Sequence, residues 1–230
     1  MATKRVLGVD ACRAGWIGIA WSGDAIRAYV HADIAGIAAM AAADGPLHAI
    51  GIDIPIGLAD STHRQADLLA REAAGVRWAS VFVTLVRPAL LIEDYAAASA
   101  LNRLLTGAGI SRQAYNLRDK ILQVDAWLPK APCPVAEVHP ELTFAALAGA
   151  PLADSKSTWP GAVRRRQLLA EAGIEVRGDL GLTGRQVGVD DVLDAAAVAW
   201  TADRLARGKA TCVPDPPERF SDGIPCSIWT

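Results

Sequence analysis

The sequence predicts an α/β fold on a mixed sheet, and three features predict it. Short β-rich runs open the chain at hairpin spacing, a compact apolar strand follows across a helix, and alanine-rich helical stretches then alternate with one further strand. The order strand, strand, strand, helix, strand, helices, strand, helices belongs to that class. The chain has 230 residues, of which 52% are hydrophobic, and a formal net charge of −2. That is enough for a single domain, residues 1–230, with a real core, and it excludes disorder as the general state.

Val6-Leu7-Gly8-Val9 is a β-rich run ending on Asp10, and the turn-like Ala11 to Gly15 leads into a second run, Trp16 to Trp21. Two strands across so short a loop make a hairpin. Ser22-Gly23-Asp24 is a second turn signal before a third strand, Ala25 to Val30. Asp33 is placed to cap an alanine-rich helix running to about Ala43. Leu47 to Ile54 is an apolar strand halted by Pro55, and its approach across a helix predicts parallel pairing. Residues 62–74 have helical spacing, Val81 to Val86 fits either state, and 89–106 and 112–128 read as two helices. Pro129 to Pro134 links to the strand Val135 to Val138, which His139-Pro140 ends. Helices are expected at 141–148 and 161–173, then a Gly-rich link to a long helix from Val189 through Arg207. The Pro-rich tail from Gly208 is expected to lie extended over the surface.

Several function classes fall away on composition. No uncharged apolar run approaches the roughly 18–20 residues of a membrane span, and Met1 to Arg5 carries no mark of an export signal. The cysteines, at 12, 133, 212 and 226, never share CxxC spacing. A zinc knuckle or redox pair is therefore not expected, and reduced thiols in a cytoplasm are. The small negative net charge argues against extended duplex binding, which needs a basic patch. Oligomeric state leaves no mark in the sequence.

The acidic residues carry the chemistry. Asp10, Asp53 and Glu137 each stand at a strand end, where sites of α/β sheets gather. On the last long helix Asp191 and Asp194, three residues apart, project about 60° apart and so from one face. Asp53 sits within Ile52-Asp53-Ile54-Pro55, where burial is costly unless the charge meets a cation or several donors. Asp194 precedes the apolar Ala195 to Ala199, which a capping role explains poorly, whereas Asp190 reads as a helix acid complementing the macrodipole. Oxygen-only ligands of high negative charge suit Mg²⁺ or Mn²⁺, and a pair of such ions can activate water for phosphodiester hydrolysis. Strand alternation, continued through Pro140, would put Glu137, His139 and Glu141 on one side, making Glu137 and His139 further site candidates. Lys156 and, from the run Arg164-Arg165-Arg166, Arg166 are the candidate phosphate contacts.

These residues resemble the RNase H-like superfamily, and Asp53 with Asp191-Val192-Leu193-Asp194-Ala195 is similar to the pattern of Holliday-junction resolvases. More closely, the chain resembles the domain of unknown function 429 family, described as predicted nucleases of that fold. The resemblance runs through Gly8-Val9-Asp10 with Gly15-Trp16, Ile52 to Leu58, Ser80-Val81-Phe82, Glu137 to Glu141, Ser155-Lys156 and Asp190 to Ala195. It implies a five-stranded sheet, three antiparallel strands then two parallel, with flanking helices and a family-specific helical insertion at 140–188 before the last helix. It also implies a nuclease acting on nucleic acid or a nucleotide, with Asp10 bridging two Mg²⁺ or Mn²⁺ ions and Asp53, Asp194 and Asp191 completing their shells. Two other classes compete: a binding scaffold on a degenerate nuclease fold, and an actin-like phosphotransferase, which the lack of an internal repeat disfavours.

Overall fold

The computed structural model describes residues 4–183 and 186–230. The first strands follow the local signals. β1 (Val6–Cys12) and β2 (Gly15–Trp21) pair antiparallel through a turn at Arg13-Ala14, and β3 (Ile26–His31) pairs antiparallel with β2. Asp33 caps α1 (Ile34–Ala43), its Oδ1 accepting from the Gly36 N–H at 2.7 Å. The crossover ends in β4 (Ile50–Ile52), parallel to β1, and β5 (Val135–Val138) lies parallel to β4.

Between β4 and β5 lie α2 (Gln65–Ala73), a 3-10 turn at Gly75–Ser80, α3 (Arg87–Leu90), α4 (Tyr95–Thr106), α5 (Arg112–Asn116) and α6 (Arg118–Trp127). The helix expected over 89–106 is thus two, because Asp94 caps a new start, accepting from the Ala97 N–H at 2.8 Å. The helix expected over 112–128 likewise breaks at Leu117. Val81 to Val86 is neither helix nor strand. Its N–H groups turn to side chains instead, Thr84 donating to Asp67 at 2.7 Å and Val86 to Asn102 at 3.0 Å. After β5 come α7 (Pro140–Ala148), α8 (Trp159–Glu171) and the long α9 (Val189–Ala206).

The tail departs from expectation. It folds into β6 (Cys212–Arg219) and β7 (Pro225–Trp229), so the described residues form a seven-stranded mixed sheet in the order β3-β2-β1-β4-β5-β7-β6, not a five-stranded one. β7 joins β5 in parallel, Glu137 opposite Ile228. β6 closes the edge, the place in a sheet where prolines, lacking a donor, are tolerated.

Both faces of the sheet are covered, which is why its strands read as nearly continuous apolar runs. Leu7, Val9, Ile50 and Ile52 face α1 and the helices between β4 and β5, whereas Val6, Ile17 and Ile19 face α7, α8 and α9. On the second face α9 comes very close. A Cβ on Gly8 would stand 2.2 Å from the Ala195 carbonyl oxygen and 2.1 Å from the Ala199 nitrogen, and one on Gly51 would meet Val198 at 2.7 Å. Glycine on the strands and Ala195 and Ala199 on the helix make that approach possible. Among the described residues no helix is long and apolar enough to cross a membrane.

Gly8→Ala is therefore expected to destabilise the protein by at least about 2–3 kcal/mol, since the added methyl meets backbone that cannot step aside. Urea unfolding measures it, and a wild-type midpoint would contradict this packing.

Candidate functional site

Side chains alternate along a strand, so the residue two beyond each close-packed glycine shares its face. Two beyond Gly8 is Asp10, and two beyond Gly51 is Asp53. Gly8 and Gly51 are register partners, and the Asp53 N–H donates to the Val9 carbonyl at 2.9 Å, so the two aspartates leave neighbouring strands side by side, toward α9. Asp194 comes down from α9, one residue before the Ala195 that rests on Gly8. Asp10, Asp53, Asp191 and Asp194 line one cavity of about 220 Å³ together with His139, Glu141 and Lys156. Ser80, Phe82, Gln113 and Leu117 form its other wall.

The electrostatics follow from the crowding. Burial, then the charges of Asp53 and Asp194, hold the Asp10 carboxyl well above the usual carboxylate range. Burial raises Asp53 to about 7, against the pull of Lys156 and with a further push from Glu141. Asp194 is raised to about 6, again by burial, with Lys156 opposing. Burial alone would lower the Lys156 ammonium, but the attraction of Asp194 overrides it and the net shift is upward. Its Nζ donates to Asp194 Oδ2 at 2.6 Å and lies 3.7 Å from Asp190. Asp191 spends one oxygen on the helix start, accepting from the Gly188 N–H at 2.8 Å.

His139 caps α7, its Nδ1 accepting from the Glu141 N–H at 3.3 Å, and burial lowers its pKa. The ring is thus neutral, with its proton on Nε2. Glu141 is held in a fork by the buried Arg165, at 2.9 and 2.8 Å.

Two expectations change here. Glu137, Ile52 and Val9 lie in phase, on the face opposite Asp10 and Asp53, because the register sets Ile52 against Glu137. Glu137 therefore does not line the acidic cavity. It binds Arg64 Nη2 at 2.5 Å and the Ile56 N–H at 2.7 Å. Nor does it share a side with Glu141, since α7 begins at Pro140 and ends the extended backbone. Of the arginine run it is Arg165 that turns inward, whereas Arg166 donates through Nε to the Val176 carbonyl and lines a separate apolar cavity. Sequence reasoning did not single out Gln113 or Arg165. A three-residue basic run on a helix had one member to bury, but nothing in the pattern marks which.

The acids of the cavity offer carboxylate oxygens, with the His139 imidazole beside them, and four aspartates and Glu141 face one lysine, so in donor type and charge the carboxylates fit Mg²⁺ or Mn²⁺. Among the described residues no three His, Cys, Asp or Glu side chains already converge as a ligand set. Lys156 occupies the position of a counter-ion on Asp194.

Two consequences can be measured. A carboxyl near 3.8 in the unfolded chain and about 7 when folded holds its proton more tightly in the folded state, so its stability contribution is complete below 3.8 and lost as pH rises through 7. Metal-free Asp53→Asn should therefore melt higher than the wild type at pH 8 and lose that advantage by about pH 4, and a pH-independent difference would refute the strained carboxylate. Glu137→Gln leaves the fully buried Arg64 with less compensating charge and should cost about 3–5 kcal/mol in denaturant unfolding; a near-neutral result would show that Glu137 is free for other work.

Comparison with curated proteins and with solved structures found no significant match. A family model does match, over residues 8–219, which takes in both strand aspartates, the α7–α8 segment and α9. The chain belongs to the family described as protein of unknown function, DUF429.

Proposed function

We propose that this protein is a metal-dependent phosphodiesterase of RNase H-like fold that hydrolyses a nucleic acid or nucleotide. The observation that carries the reading is that Asp10, Asp53 and Asp194, from two strands and a helix, line one cavity where each is held above its ordinary pKa. Uncompensated acids cost stability unless a cation is due there. The pairing of β1 to β5, with three antiparallel strands then two parallel, agrees with the order the resemblance implies.

Asp10, Asp53 and Asp194, with Asp191 beside them, are the residues to hold Mg²⁺ or Mn²⁺. Bound there, the ions would activate water and stabilise the leaving oxygen. In the hydrolysis the water oxygen bonds to phosphorus, the bond to one ester oxygen breaks, and the proton that water gives up ends on the released alcohol. Lys156, released from Asp194, is a cation for the phosphate oxygens. His139 lines the same cavity, with its ring hydrogen-bonded to the backbone of Ser80. Arg165 holds Glu141 away from these tasks.

One observation favours a second reading, a binding scaffold without a metal: Lys156 already satisfies Asp194. The two part on a single substitution. With Mn²⁺, the wild type should cleave an unstructured oligonucleotide, and Asp10→Asn should lose about a hundredfold or more, the several kcal/mol a shared ligand supplies. Full activity in a folded Asp10→Asn protein, or none in the wild type, would remove the phosphodiesterase.

A further inference from the structure

Beside the acidic cavity lies a second one, of about 350 Å³, within the size range of small-molecule sites. Phe82 and Gln113 line both, so the two share a wall. The chemistry changes across it. The acidic cavity holds four aspartates, whereas none of the residues lining the second is an acid and Arg71 is among them. Trp78, on the 3-10 turn, leaves 53% of its surface exposed, and the Arg71 guanidinium carbon lies 4.6 Å from the centre of its ring. His63 Nδ1 is shielded from solvent and has no hydrogen-bond partner among the described residues. Being shielded, that nitrogen is not open to a ligand, and it is a half-exposed aromatic ring and a cation that line the space adjoining the acids.

Resting on the phosphodiesterase reading, we propose that this cavity is a base-binding subsite and that the substrate is an unpaired nucleotide strand. A base has a π-face to stack on Trp78, and its anionic backbone suits Arg71. A base within a duplex is stacked on both sides and must leave the helix before it can enter such a cavity. The weak net charge of −2 fits the same substrate, because binding then draws on stacking as well as on phosphate contacts.

Anisotropy of fluorescein-labelled hexathymidylate, with Ca²⁺ in place of Mn²⁺, tests the subsite against the same backbone made abasic. The wild type should prefer the base-bearing strand. Trp78→Ala should weaken hexathymidylate about tenfold, within what one stacked base contributes, and leave the abasic strand within about twofold. Trp78→Phe, which keeps a ring, should retain most of the affinity and guards against a folding defect. Equal binding of both strands by the wild type, no binding of either, or equal losses for both in Trp78→Ala would overturn the subsite. Cleavage of hexathymidylate in Mn²⁺ is read separately. Base-dependent binding through Trp78 without cleavage would keep the subsite and remove the phosphodiesterase, and cleavage with binding indifferent to Trp78 would do the reverse.

Discussion

The approach of α9 to β1 and β4 governs the rest of the structure. At Gly8 the helix lies nearer the sheet than any side chain on the strand would allow, with Ala195 and Ala199 at backbone distance, and at Gly51 Val198 comes similarly close. Interiors packed at crystal-like density do not absorb an added methyl by drifting apart. The closeness also sets the site, because Asp10 and Asp53 follow those glycines by two residues and Asp194 precedes the contact on the helix. The three acids line one cavity because the close contacts at Gly8 and Gly51 align their carriers.

Charge is the second constraint, and each sheet face meets it differently. On the face away from α9, Glu137 and Asp67 surround a fully buried Arg64, a closed network that holds the loop from Ile54 to Leu58 to α2 and β5. On the α9 face the acids outnumber the cation offered to them, and burial, with the neighbouring carboxylates adding to it, raises their pKa values. The first arrangement suits structure. The second suits a ligand of positive charge, and the lysine there, Lys156, comes from the segment between α7 and α8.

Much of this was legible along the chain. Asp10, Asp53 and Asp194 stand out as charges set in apolar runs, and local patterns suffice for the hairpin, the capped α1 and the length of α9. Glu137 shows where the pattern stops. It has the same local credentials as Asp53, an acid at the end of an apolar strand, yet it lies one residue out of phase, and phase depends on pairing Ile52 with Glu137 across a parallel ladder. A one-residue difference in register moves a side chain to the opposite face.

The sequence by itself determined which residues carry charge into apolar surroundings, the starts of α1 and α9, and the α/β class, because those follow from composition, capping and periodicity over a few neighbours. Only the tertiary structure decided that the Pro-rich tail completes the sheet beside β5, that Arg165 rather than Arg166 turns inward, and that Glu137 belongs to Arg64. Each of those outcomes is fixed by a partner far along the chain, such as Trp229 against Val138 or Glu141 against Arg165. A pairing over such separation is selected by the packing of the whole domain, and no local spacing records it.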